Sequence, residues 1–207
     1  MNSPAPHRQP AGFSLIELMM VMVIAGILLT IGFSVFGRSA VTARRTATDE
    51  FAAAVEQART SAITRRKNVV LAVAPPVAGS SDQICRFGLF EVDDLPDGEG
   101  NLTGRQVQRW NSMPQNVILL DGKIEGLRNV MDEDAVQLTW KDGKNHAQVH
   151  PLVFSPRGGL VWPTGSDPVA VKIGTGNYRD GQPREVSGGG HNSMRIGRVV
   201  ARPWRLD

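Results

Sequence analysis

The chain has 207 residues, with 23 Lys and Arg against 20 Asp and Glu, a formal net charge of +3 and one cysteine. That near balance excludes a polybasic nucleic-acid protein on composition alone, and a lone Cys85 cannot close an intramolecular disulfide. The chain beyond the apolar segment near its start is long enough for one globular domain, whose core must then be held by packing.

Residues 1–12 form a short hydrophilic leader whose only basic side chains are His7 and Arg8. From Phe13 to Phe36 the chain is apolar, and Glu17 is its one formally charged residue. About 20 such residues cross about 30 Å of hydrocarbon as a helix. An ionised carboxylate there costs roughly 2.5–3.5 kcal/mol at mid-helix and less near an end, so Glu17 calls for a cation at the same depth. The amino terminus of Phe13 in a neighbouring copy would supply one if the chain were cut between Gly12 and Phe13. A secretory signal peptide fits poorly, because the apolar region is too long and Gly37-Arg38-Ser39-Ala40 is no A-x-A site. A plain single-span anchor explains Leu18–Phe36 by length, but it explains neither Glu17 nor the Gly12-Phe13 junction.

The helical pattern continues past the apolar segment. From Arg38 to Arg66 there is no Pro and no Gly, and Val41, Thr48, Phe51, Val55, Ala58 and Ala62 recur on one Ala-rich stripe. One helix from about Ser14 to Arg66 would be roughly 80 Å long. Arg38, Arg44 and Arg45 come soon after the span, against the positive-inside bias if Phe13 faces the cytoplasm. Gly26, Gly32 and Gly37 each lower helix propensity by about 1 kcal/mol relative to Ala and suit close helix–helix contact.

After Arg66 short β-rich runs take over: Asn68–Ala74, Arg86–Val92, Val107–Trp110, Val117–Leu120, Val136–Trp140, Leu152–Phe154, Val169–Ile173 and Met194–Val200. Gly, Pro, Asp and Asn clusters separate them. The expected fold class is α+β: a long N-terminal helical spine, its first half transmembrane, with an antiparallel β-sandwich-like head. Cys85 lies in a strand-like run and reads as a small buried apolar residue.

The run Gly12-Phe13-Ser14-Leu15-Ile16-Glu17-Leu18, with its leader and the apolar stretch behind it, resembles the signal of type IV pilins and type II secretion pseudopilins. The resemblance implies that an inner-membrane prepilin peptidase cuts after Gly12 and methylates the new amino terminus at Phe13. Glu17 then serves filament assembly, and local melting of the helix would rest on Gly32 and Ser34, since this chain lacks the Pro many members carry there. The passage from Phe51 to Leu71, the stretch Leu152-Val153-Phe154-Ser155-Pro156-Arg157-Gly158-Gly159 and the run Met194–Val200 are similar to the minor pseudopilin H and FimT-like pilin group.

Other constellations carry less. His146 and His150 are four apart but sit in β-rich surroundings beside Pro151, so no metal signature is read there. Gly174-Thr175-Gly176-Asn177 and Ser187-Gly188-Gly189-Gly190 lack the Gly-Lys-Ser/Thr ending of a phosphate loop and read as turns or a mobile loop. Asp93–Gly100 is acidic enough to suggest calcium, but its spacing reads as a solvated turn. Arg195, Arg198, Arg202 and Arg205, with Trp204 among them, could contact a phosphate backbone by charge and stacking. The resemblance adds that FimT-like pilins taking up DNA use a C-terminal Gly-Arg-rich motif, which Gly197-Arg198 begins to match. The bland alternative is a strand whose arginines face water and which Pro203 ends.

The expected organisation is a leader 1–12, removed; a helix 13–66, membrane-spanning over 13–36; and a periplasmic head 67–207. The expected function is a minor pseudopilin of a type II secretion system at or near the pseudopilus tip, in the bacterial inner membrane as a single pass. It is no enzyme and needs no cofactor or metal. Its partners are the prepilin peptidase, other pseudopilins through the N-terminal helix, and the inner-membrane assembly platform. The alternatives are a FimT-like minor pilin binding DNA for uptake and a non-polymerising anchored periplasmic binding domain.

Overall fold

The structure, a computed structural model, describes residues 15–80 and 83–206, with the side chains of 27–39 outside the description. The chain divides into two compact units, Met1–Ser39 and Ala40–Asp207. One helix, α1, runs Leu15–Arg65. It closes where the residue after it, Arg66, turns left-handed at φ 55. The Lys67 amide then donates to the Ala62 carbonyl at 3.3 Å, the 6→1 bond of a Schellman cap. Among the described residues no helix is long and apolar enough to cross a membrane. The span expected at 13–36 is described with its side chains only over Leu15–Gly26.

In the second unit the α1 stripe is buried at Ala47, Thr48, Phe51, Ala54, Val55, Ala58 and Ala62. Val41, expected on the stripe, is 39% exposed, because the covered stretch starts only at Ala47.

Among the described residues thirteen strands come after α1: β1 (Asn68–Ala74), β2 (Arg86–Val92), β3 (Asn101–Gln106), β4 (Asn111–Ser112), β5 (Val117–Leu120), β6 (Arg128–Asn129), β7 (Val136–Trp140), β8 (His146–Phe154), β9 (Leu160–Trp162), β10 (Val169–Arg179), β11 (Gln182–Glu185), β12 (His191–Ile196) and β13 (Pro203–Leu206). They make two sheets. The first runs β1-β2-β3-β7-β8-β9, and β1 also pairs with β8, so five strands close on themselves. The second runs β11-β10-β12-β13, with β5 and β6 also on β10. The head is therefore not the purely antiparallel sandwich expected. β3 pairs parallel with β7, and β6 parallel with β10. The long passage from Val107 to Ala135 permits the first of these, since parallel neighbours need a crossover.

Alternation along the strands sorts two cores. Val69, Leu71, Val73, Phe87, Leu89, Leu152 and Phe154 join the helix stripe and the second sheet's Ile118, Ile173 and Met194 in one cluster. Val70, Ala72, Phe90, Val92, Leu138, Val149 and Val153 point the other way into a second cluster. A strand buried on both faces reads as a continuous apolar run, as Asn68–Ala74 does. Phe51 of α1 meets Phe87 of β2 edge-on, ring centroids 5.7 Å apart.

Several boundaries differ from expectation. Val107–Trp110 is not a strand: the amides of Val107 and Gln108 both donate to the Leu89 carbonyl, at 2.8 and 3.3 Å, where the edge of β2 passes from β3 to β4. Trp110 folds back over Phe90, 5.5 Å between centroids. The space for it comes from Gly88, where a Cβ would stand 3.1 Å from the indole. Gly174 and Gly176, expected in a turn, lie inside β10; a Cβ there would meet Leu120 at 2.6 Å and the Arg184 carbonyl oxygen at 2.2 Å. The last expected strand, Met194–Val200, ends at Ile196, and Pro203 begins β13 rather than ending a strand.

One carboxylate joins the end of α1 to the first sheet. Glu91 of β2 is buried and lies 3.5 Å from Arg65, 3.1 Å from Lys67 and 3.0 Å from Arg105. The Arg105 hydrogen bond, then that of Lys67, holds its carboxyl below the usual carboxylate range. Such a group contributes stability that is complete above the ordinary Glu value, about 4.3, and is lost as pH falls through the lowered one. Lys67 is shifted upward, first by Glu91, so its share is lost only as pH rises through its raised value. Glu91→Ala should destabilise the head by about 1–3 kcal/mol at pH 7. Urea unfolding of the detergent-solubilised chain, followed by Trp fluorescence, should show the difference from wild type shrinking as pH drops below 4.

Candidate functional site

The N-terminal part of α1 offers an unusual surface. Leu15, Ile16, Leu18, Met19, Met20, Val21, Met22, Val23 and Ile24 are all more than half exposed, from 51% at Ile24 to 80% at Leu15. They surround the helix rather than forming one face, the pattern of a helix covered on all sides by lipid or by other helices. Glu17 sits in the first turn, where the positive end of the helix dipole favours a carboxylate. Gly12 and Phe13, the expected cleavage and methylation positions, lie outside the described residues.

The four C-terminal arginines, taken together in the sequence, part company in the fold. Arg195 on β12 and Arg202 before β13 are exposed. Arg205 pairs with Asp49 of α1. Arg198 is half-buried; its Nε donates to the Asp167 carbonyl at 2.7 Å and its Nη1 to the Pro163 carbonyl. Burial, then the nearby charge of Arg128, lowers its pKa from the ordinary arginine value. Arg128 in turn binds Glu133 and the Thr164 carbonyl. Arg198 and Arg128 thus fasten the loop 163–167 to the second sheet.

The remaining sequence candidates are structural. Cys85 is buried beside Tyr178, and burial pushes its thiol up to about 12, so it stays protonated and a poor nucleophile. The Tyr178 hydroxyl accepts from the Leu119 amide at 3.0 Å. His146 and His150 share a face of β8 but stand about 13 Å apart along it, too far to share an ion. Among the described residues no group of three or more His, Cys, Asp or Glu is placed to hold a metal. In the 93–100 loop, Asp93 binds Lys67 and Lys141. Asp97 accepts from the amides of Glu99 at 3.0 Å and Asn101 at 2.7 Å. The Ser187–Gly190 stretch is a loop between β11 and β12, and Arg44 of α1 donates to its Gly190 carbonyl at 2.7 Å.

Two contacts escaped the sequence. Arg44 holding the 189–190 carbonyls has no local signal. Glu91 had one: it is the only carboxylate in the otherwise apolar run Phe87–Val92.

Comparison with protein families matches residues 7–33 to the prokaryotic N-terminal methylation motif. Residues 47–190, well over half of the chain, match type II transport protein GspH. The chain belongs to the GspH family. It is a type IV pilin-like minor pseudopilin of the H type. Neither the curated proteins nor the solved structures gave a match. The first match takes in Gly12, Phe13 and Glu17. The second begins at Ala47, where the covered stripe of α1 begins, and ends one residue before β12.

If Arg198 fastens the 163–167 loop, Arg198→Ala should cost about 1.5–3 kcal/mol, the usual value for hydrogen bonds that involve a charged group. Thermal unfolding followed by Trp fluorescence should show Tm lower by several degrees. Arg202→Ala, removing an exposed side chain, should leave Tm within a degree or so.

Proposed function

We propose that this chain is a structural subunit at or near the tip of a type II secretion pseudopilus, supporting export of folded proteins across the outer membrane. Residues 1–12 are a leader removed by the prepilin peptidase, and the mature chain starts at a methylated Phe13. Residues 13–36 span the inner membrane once, and the head 67–207 lies in the periplasm. Assembly proceeds through the N-terminal helix with other pseudopilins, on an inner-membrane platform. The role is architectural and calls on no catalytic residue, cofactor or metal.

The observation that carries this is the all-round exposure of Leu15–Ile24. Nine large apolar side chains exposed to water would be a severe aggregation liability. Lipid covers them before assembly, and neighbouring helices cover them after it. Glu17 is then the carboxylate that meets the Phe13 amine of an adjacent subunit. Pairing offsets the desolvation of both, and removing one member of such a pair costs about 3–5 kcal/mol. A DNA-uptake reading is weaker, because two of its four arginines are engaged within the chain, Arg198 by carbonyls of the 163–167 loop and Arg205 by Asp49 of α1. An anchored domain that never polymerises leaves the methylation-motif match unexplained.

Two experiments test the proposal. Intact mass of the chain from its native host should correspond to residues 13–207 with one added methyl; retention of 1–12 alongside an active prepilin peptidase would sink it. Gly12→Val should block the cut, because a residue without Cβ permits close backbone approach in the protease cleft. Glu17→Ala should leave cleavage intact and lower incorporation into the pseudopilus, measured by co-purification with sheared filaments. Wild-type incorporation would remove Glu17 from the assembly contact.

A further inference from the structure

The outer edge of the second sheet is closed by a strand that buries no side chain. β12 pairs with β10 on one side and with β13 on the other. Its Met194 and Ile196 are buried in the cluster that holds the helix stripe. None of the four residues of β13 is buried, and Trp204 is 65% exposed. The last buried side chain before it is Ala201. What holds β13 is its ladder to Ser193–Ile196 and the Arg205–Asp49 pair, whose side chains are 49% and 66% exposed. An exposed ion pair contributes little. Ladder hydrogen bonds replace bonds to water, and the residues that form them give up conformational freedom. Such a strand opens at far lower free energy than the strands beneath it.

The edge under β13 is well formed. The Gly197 amide donates to the Arg202 carbonyl at 3.4 Å. Peptide groups alternate along an antiparallel ladder, so Ser193 and Arg195 turn theirs to β13, while Asn192, Met194 and Ile196 turn theirs to β10. His191 faces the same way as Ser193 and Arg195, past the point where the β13 register stops. An incoming strand can therefore pair first at His191 and advance as β13 leaves. The outer edge of β13 is a poor template by comparison: it is four residues long and starts with Pro203, which has no amide hydrogen. The place opposite Met194, held by Arg205, looks toward Asp49 of α1. A strand that replaces β13 meets that carboxylate, which selects a basic side chain there.

We propose that β13 is a displaceable strap, and that an extended strand from a different subunit takes its place on β12, with a basic side chain opposite Met194 facing Asp49. Recognition by a sheet edge is main-chain chemistry, so the occupant is an extended segment and need not be a copy of this chain. The source of that segment rests on the pseudopilin reading, since a minor subunit at or near the tip has other pseudopilins as its neighbours.

Hydrogen exchange of the full chain in detergent, resolved to single amides, reads the strap by itself. The amides of Ser193, Arg195 and Trp204 should exchange roughly a hundredfold faster than those of Met194 and Ile196. Even protection along β12 overturns the strap. Incorporation in the native host, measured by co-purification with sheared filaments, reads the exchange of strands. Ser193 and Leu206 stand directly opposite, at the roughly 5.5 Å Cα spacing of a hydrogen-bonded pair, which a disulfide can bridge. Ser193→Cys with Leu206→Cys should lock β13 down and lower incorporation several-fold, while Ser193→Cys alone keeps the wild-type level; buried Cys85 does not compete. A chain ending at Arg202 should keep its Tm within about two degrees of wild type and incorporate at least as well, because the competing strand is gone. Adding Asp49→Lys to that shortened chain should lower incorporation several-fold. A locked chain that incorporates normally, or a shortened chain that loses many degrees of Tm, overturns the strap. Indifference to Asp49→Lys overturns the basic strand as occupant. Absence of the wild-type chain from the filaments overturns the pseudopilin reading, which the exchange measurement does not depend on.

Discussion

The burial of one narrow stripe of α1 by both sheets at once is the constraint on which the head depends. Ala47, Ala54, Ala58 and Ala62 supply most of that stripe, with Phe51 and Val55 at its centre. Small side chains let the helix approach the outer faces of β1, β2 and β8 and the inner faces of β5, β10 and β12 within one core. A larger residue at Ala58 or Ala62 would have to displace a sheet rather than a loop. Polar contacts then fix the helix at three levels. Arg44 holds the 189–190 carbonyls, Thr48 accepts from Asn192 at 3.1 Å, and the Glu91 cluster gathers the helix end and two strands.

That constraint explains which parts of the fold were legible in the sequence. β1, β2, β5 and β7 stand where the apolar runs put them, because each is buried densely enough to leave a continuous or alternating signal. β3, with its sequence Asn-Leu-Thr-Gly-Arg-Gln, buries only alternate residues and reads as a polar loop. β11 and β13 are short, largely exposed edge strands; β11 is polar but for Pro183, and the Trp204 and Leu206 of β13 stay exposed. Gly174 and Gly176 misled for a different reason: in a strand against a crowded neighbour, glycine marks close approach of chains, and composition alone cannot tell that from a turn. Closure of β1 onto β8 joins residues about eighty apart in sequence and has no local signature.

The candidate sites divide along the same line. The Gly12-Phe13-Glu17 signal was legible because its constraint is local: a carboxylate near the start of an apolar run is costly wherever the chain folds. The C-terminal arginines were not separable, because their roles are set by what lies opposite them. Arg198 meets backbone carbonyls from the 163–167 loop, Arg205 meets Asp49 from α1 in an exposed pair, and Arg195 and Arg202 face water. Four arginines in one short segment therefore hold one partly buried fastener, one surface ion pair and two surface charges, and counting them as one basic cluster overstates the field they present outward.

The helix itself completes the logic. Over Ala47–Ala62 the head covers one face of α1, and burial there needs only every third or fourth residue. Over Leu15–Ile24 nothing in the sequence alternates, since apolar side chains occupy every direction but that of Glu17. A stripe suits a helix with one partner inside its own chain. An apolar surface on all sides suits a helix whose surroundings are supplied by lipid and then by other subunits. The change of pattern within one continuous element thus marks where folding of the chain ends as a physical problem and assembly begins. Glu17 lies in the exposed stretch of the helix, where we propose an assembly contact, and Glu91 lies within the folded head. Glu91 is satisfied by Arg65, Lys67 and Arg105 of its own chain, so its loss should weaken the head and leave the assembly helix unchanged.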